Sequence, residues 1–151
     1  MLWESPTSRK HNTRNQMSPN TKHILLTAFL FLTAVVPDYA APVEIIAHRG
    51  ASHDAPENTL ASIRLAWKKG ADGVEIDVML SRDGQIVLFH DKGMKRLAGV
   101  DGKVSDRTQA ELARLDVGKW KHAKWTGERI PLLSEALATI PADKRMFVEL
   151  K

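Results

Sequence analysis

Seven ionic side chains stand out by type and spacing: His48 and Arg49, Glu75 and Asp77, His90, and Glu149 with Lys151. The chain has no cysteine, which excludes a disulfide framework, a thiolate metal site and a lipid-modified cysteine anchor. Carboxylate oxygens without thiolate suit a hard cation, Mg2+ or Ca2+. A guanidinium such as Arg49 can clamp a phosphate with paired hydrogen bonds, and Lys151 can add a point charge. Two histidines titrate near neutrality, so one can accept a proton while the other donates one to a leaving alkoxide. Phosphodiester cleavage needs all of these parts.

These residues sit where apolar runs stop. VEIIAH, residues 43–48, reads as a strand buried on both faces, the parallel-sheet type. Pro56, Asn58 and Thr59 open a helix, TLASIRLAWKKG, that ends in lysines and glycine. GVEIDVML is a second strand and QIVLFHD a third, joined by SRDG. Locally RDG has the look of an antiparallel hairpin turn. Yet the eight residues from Val78 to Gln85 could extend about 26 Å, enough to restart in parallel. Further on, Ser105 or Asp106 can cap a short helix through Arg114. PLLSEALATIP is a second amphipathic helix with Ser134 as a candidate cap, and KRMFVELK is a final strand. Helices alternating with apolar strands argue an α/β class with a parallel sheet. In such a sheet the strand ends share one rim, which would gather the ionic residues. Glu75 and Asp77, two apart in a strand, point to the same side.

Together, HRGASHDAPENT, VEIDVMLSRDGQIVLFHD and VELK resemble the glycerophosphodiester phosphodiesterase family. The resemblance runs over residues 43 to 151. It implies a TIM (β/α)8 barrel, of which this chain carries about the first four strands, with strands two and three parallel. It implies that His48 and His90 are the acid–base pair and that Arg49 and Lys151 bind phosphate. It implies that Glu75, Asp77 and Glu149 ligate one divalent ion, Mg2+ or Ca2+. The reaction would be hydrolysis of a small-molecule glycerophosphodiester to sn-glycerol 3-phosphate and an alcohol. The alternatives are a lysophospholipase D or sphingomyelinase-D-like diesterase, which needs an apolar tail site, and a non-catalytic remnant. A decayed remnant should have lost some of the seven rim groups, and all seven are present. A complete barrel takes about 250 residues. Half a barrel leaves open edges, so the chain alone is expected to be poorly stable and to have little activity.

Residues 1–41 read as a leader, with Met17 a candidate start, and residues 42–151 as the N-terminal part of the catalytic domain. ILLTAFLFLTAVV, residues 24–36, fits a signal-peptide core and falls short of the roughly 20 residues that span a bilayer. Export to a periplasm or the extracellular space is expected, with no stable membrane span afterwards. Net charge is +4, from 22 basic and 18 acidic residues, and no basic stripe interleaved with aromatics suggests nucleic acid. Asn58 and Thr59 read as a helix cap and His53 as loop surface. His122, Trp120 and Trp125 read as packing or surface, and His11 and His23 belong to the leader.

Overall fold

The computed structural model describes residues 43–151. Residues 1–42, where a leader, a signal-peptide core and a start at Met17 were expected, lie outside the described residues. β1 (Ile46–His48) leads through a polar loop into α1 (Leu60–Lys68), then β2 (Gly73–Leu80) and β3 (Ile86–Leu88). Three short helices follow, α2 (Lys95–Ala98), α3 (Gln109–Leu112) and α4 (Leu133–Leu137), before β4 (Arg145–Leu150). No helix among the described residues is long and apolar enough to cross a membrane.

β2 is the centre of the sheet. β1 pairs in parallel with its first half and β4 pairs in parallel along its other edge. The register sets His48 beside Glu75 and Asp77 beside Glu149. All four therefore share one face, because directly paired residues project to the same side. The opposite face of β2 is Val74, Ile76 and Val78, buried against Ile63 and Ala66 of α1 and Ala136 of α4. This β–α–β layering is the opening part of a (β/α)8 barrel. Below the carboxylates, Gly73 leaves room for an apolar floor. A Cβ there would meet Ile46 Cδ1 at 2.7 Å and Phe147 Cε2 at 3.0 Å.

β3 corrects one expectation. It runs antiparallel to β2, with Val78 opposite Leu88 and Leu80 opposite Ile86. The reason lies in the turn. The Ser81 amide donates to the Gln85 carbonyl (2.9 Å), and the Gln85 amide donates to the Ser81 hydroxyl (2.9 Å). The eight residues thus close as a hairpin instead of extending, and three of the four strands run parallel. β2 overshoots the sheet, and the hairpin carries the chain back down until the Phe89 amide donates to the Asp77 carbonyl at 3.0 Å. A second core supports this excursion: Val87, Phe89, Met94, Leu97, Val104, Leu112, Val117 and Ile130 are all buried together.

Smaller differences have local causes. β1 is shorter than expected, and Ile46 within it and Ile45 before it are exposed. Its outer edge has no strand partner among the described residues. The same holds for the outer edge of β4, where Leu150 is 82% exposed. The helix expected from Ser105 to Arg114 divides into a 3-10 turn, Val104–Asp106, and α3, which Thr108 caps by accepting from the Glu111 amide. At α4 the cap is made by Glu135, whose carboxylate accepts from the Leu132 amide at 2.8 Å, so Ser134 is not the cap. Thr59 caps α1 as expected, in a reciprocal pair with Ser62.

Gly50 joins β1 to α1. Its φ is +76°, and a Cβ there would fall 2.5 Å from Ser62 Oγ and 2.7 Å from the Ser62 carbonyl carbon. Side chains rarely adopt that φ, and here no space exists for one. Gly50→Ala is therefore expected to destabilise the fold by about 1–3 kcal/mol, read as a lower urea midpoint at unchanged slope. An unchanged midpoint would contradict the close approach.

Candidate functional site

Asp77 lies in the middle of β2 with 0% exposure. Its Oδ2 accepts from Asn58 Nδ2 (2.9 Å), and its own amide donates to Asn58 Oδ1 (3.1 Å). Asn58 thus reads both the side chain and the backbone of Asp77. It does so from the left-handed region, at φ +55°, which asparagine tolerates better than most residues. Asn58 was expected as a cap; the cap is Thr59, and Asn58 instead supports the carboxylate. The signal available was its position just before the capping threonine.

Arg49 sits in the same unusual backbone region, at φ +55°. Its carbonyl accepts from the Asn58 amide (3.1 Å) and the Ser62 hydroxyl (3.1 Å). Its amide donates to Glu75 Oε2 (3.0 Å) and Nη1 donates to Glu57 Oε1 (3.0 Å). Nε lies 3.0 Å from Asp77 Oδ2, close enough for an ion pair but not aligned as a hydrogen bond. The strained turn at Arg49 is thus over-determined by its surroundings, which is what allows it to persist.

The other expected residues converge here. His48 Nε2 is 3.8 Å from Glu75 Oε2, and the His48 side chain is 66% exposed. Lys151 Nζ lies 3.3 Å from Asp77 Oδ1 and donates to Glu149. Contact with Glu149, and then with Asp77, raises the Lys151 ammonium above the ordinary lysine value. His90 comes back to the site through the β3 hairpin. With Lys151, Met79, Asp91 and Lys92 it lines a cavity of about 390 Å3. His53 is exposed and bonded to Asp54, and lines one cavity with His48.

One ligand atom from each of Glu75, Asp77 and Glu149 lies within 4.8 Å of the others. Glu75 Oε1 is buried with no hydrogen-bond partner, and Asp77 Oδ1 is buried with only the Lys151 ammonium, 3.3 Å away, beside it. Buried carboxylate oxygens without donors are costly, and a hard cation among them would remove that cost. The charge count agrees. Glu57, Glu75, Asp77, Asp91 and Glu149 face Arg49, Arg96 and Lys151, which leaves two negative charges uncompensated. The residues present therefore fit one divalent ion. In a second cluster, Glu57, His90 and Asp91, both carboxylates are already bound to arginines, Glu57 to Arg49 and Arg96 and Asp91 to Arg96.

Glu57 and Arg96 were not singled out in the sequence, and the FHD stretch marked Asp91 only as the neighbour of His90. Burial pushes the Glu57 carboxyl up, but hydrogen bonds from Arg96 and then Arg49 outweigh it and hold the group below its ordinary value. Hydrogen bonding to Arg96, opposed by burial and helped by His90, holds Asp91 at about 2. The PEN of PENT was legible as a helix entry, but nothing in it announced a partner 39 residues away.

Asn58→Ala would leave the buried Asp77 amide and one carboxylate oxygen without their partners. An orphaned buried group costs about 1–3 kcal/mol. A lowered melting temperature together with weaker divalent-ion binding is expected, and unchanged ion affinity would show that Asn58 does not orient Asp77.

Residues 48–151 match the glycerophosphoryl diester phosphodiesterase family. A glycerophosphodiester phosphodiesterase of Caldanaerobacter subterraneus is 43% identical over 107 residues, covering 71% of this chain and 44% of that protein. A solved Oleispira antarctica phosphodiesterase, in complex with the product sn-glycerol-3-phosphate, is 47% identical at a TM-score of 0.69. It is matched over 72% of this chain and 44% of its own. A glycerophosphodiester phosphodiesterase structure from Agrobacterium tumefaciens is 35% identical at a TM-score of 0.69, over 72% of this chain and 47% of that one. The chain thus spans a little under half the length of these relatives, and it belongs to the glycerophosphoryl diester phosphodiesterase family.

Proposed function

We propose that the protein takes part in divalent-metal-dependent hydrolysis of glycerophosphodiesters, releasing sn-glycerol 3-phosphate and an alcohol. The observation that carries this reading is the convergence of Glu75, Asp77 and Glu149 beside Arg49 and Lys151, with the buried Glu75 Oε1 left unpartnered. Membership of the family supports the substrate class, and the product named with the Oleispira structure is the expected one.

The roles follow from what each group can do. Glu75, Asp77 and Glu149 would hold the ion, Mg2+ or Ca2+. When bound, it would supply charge stabilisation at the developing oxyanion. Arg49 engages Glu57 through Nη1 and Asp77 through Nε, so Nη2 is the edge left to face a phosphate oxygen. Lys151 adds a positive charge on the other side of Asp77. Asp91, held ionised, can only accept a hydrogen bond, so His90 Nδ1, 2.9 Å away, carries the proton. His90 Nε2 is then the nitrogen able to exchange a proton with substrate. His48, open to solvent at the end of β1, is the second imidazole of the acid–base pair. Residues 42–151 form the N-terminal part of the catalytic domain in this reading. The apolar run at residues 24–36 supports export ahead of it.

The test is release of sn-glycerol 3-phosphate from glycerophosphocholine, with lysophosphatidylcholine as the competing substrate. A slow, EDTA-sensitive activity restored by Mg2+ or Ca2+ is expected, with glycerophosphocholine preferred. His48→Ala should lower turnover by about 10²–10⁴-fold while ion affinity stays nearly intact. Turnover unaffected by EDTA, or a preference for the lysolipid, would overturn the reading.

A further inference from the structure

Arg96 stands on α2, outside every strand, and no step above uses it. Its guanidinium nonetheless makes four charge-assisted hydrogen bonds. Nε and Nη2 donate to the two oxygens of Asp91 at 2.6 and 2.8 Å. Nη1 and Nη2 donate to the two oxygens of Glu57, both at 2.8 Å. Each of these carboxylates has a second partner in the candidate site. Asp91 Oδ1 lies 2.9 Å from His90 Nδ1, and Glu57 Oε1 accepts from Arg49 Nη1 at 3.0 Å. One planar fork therefore stands between two carboxylates, and those carboxylates hold an imidazole and a second guanidinium.

Arg96 is itself held. Its neighbour Leu97 and the α2-capping Met94 are buried in the second core. The Arg96 guanidinium carbon lies 5.6 Å from the centre of the Trp120 ring, within cation–π range. That ring is pinned in turn, because Trp120 Nε1 donates to the Val117 carbonyl at 2.8 Å. Trp120 was expected to serve only as packing or surface; it is the backing of this arginine.

We propose that Arg96 is a positioning residue that aligns His90 and Arg49 as one unit, through Asp91 on one side and Glu57 on the other. This rests on the reading of His90 and Arg49 as site groups. Without Arg96, Asp91 loses two bonds and is free to turn. The His90 ring is then no longer fixed with its Nδ1–H inward and Nε2 outward. Glu57 also loses two bonds and no longer braces Arg49 against the Asp77 carboxylate. A lysine cannot substitute, because a single ammonium cannot span both carboxylates in paired geometry.

The experiment uses Arg96→Ala and Arg96→Lys beside the wild-type chain. Two-bond 1H–15N correlation spectra of the histidine rings report the His90 tautomer with no turnover required. The wild type should show the Nδ1–H form alone. Both variants should show a mixture in which Nε2–H has gained. In the glycerophosphocholine assay, kcat/KM should fall about 10–100-fold, the usual range for a lost orienting partner, and methylguanidinium should restore part of it in Arg96→Ala. Divalent-ion affinity should change much less than kcat/KM, since Arg96 touches none of Glu75, Asp77 and Glu149 and reaches Asp77 only through Glu57 and Arg49. A purely structural role would lower the melting temperature and leave the tautomer alone. If Arg96→Ala does not fold, Arg96→Lys carries the test. An unchanged His90 tautomer in the folded variant, or ion affinity falling in step with turnover, would overturn the proposal. If no form of the chain hydrolyses the diester, the diesterase reading fails, and the tautomer still decides the role of Arg96.

Discussion

Asp77 places a carboxylate in the centre of the sheet with no access to solvent. Taking an ionised carboxylate out of water costs on the order of several kcal/mol even after relaxation, unless partners are supplied. The partners come from three separated stretches: Asn58 before α1, Arg49 after β1 and Lys151 at the end of β4. The site is thus the solution to one buried charge, and the local features are its consequences. Gly50 lets the Arg49 turn press against α1. The capping pair of Thr59 and Ser62 fixes where α1 begins, and so where Asn58 stands.

Those partners do not neutralise the region completely. Arg49 divides its charge between Asp77 and Glu57, and Arg96 divides its own between Glu57 and Asp91. Lys151 is left to answer Asp77 and Glu149, while Glu75 receives one backbone amide and a distant imidazole. The remaining negative charge lies on the face where His48, Glu75, Asp77 and Glu149 are aligned by register. Here structure and proposed chemistry meet. The residue types favour a hard divalent ion, and the parallel pairing of β1, β2 and β4 brings three carboxylates within reach of one.

Much of this was legible in the sequence. GVEIDVML is β2 to the residue, because β-branched Val74, Ile76 and Val78 at alternate positions, bounded by glycine and a serine turn, leave little freedom. The converging groups could be named because apolar strands ending in charge demand a shared destination. The direction of β3 was not legible from the resemblance, although the local turn chemistry of SRDG pointed the right way. His90 reaches the rim by descending an antiparallel hairpin, where a parallel strand tip was expected. Glu57 and Arg96 stayed hidden for another reason. Their bonds depend on how two loops meet, and surface-type residues carry no periodic signal that predicts such a meeting. The exposure of Ile45, Phe147, Val148 and Leu150 was foreseen only in outline, from outer edges of β1 and β4 that have no strand partner among the described residues.

The central claim is that Glu75, Asp77 and Glu149 share a single divalent ion. Calorimetric titration of Mg2+, Ca2+ and Mn2+ tests it most directly, with Glu149→Gln and Glu75→Gln as single variants. Glu149 is largely exposed, so its variant should fold normally. The account predicts one ion per wild-type chain and a loss of affinity in either variant. Wild-type affinity retained in both variants, or a stoichiometry other than one, would contradict it.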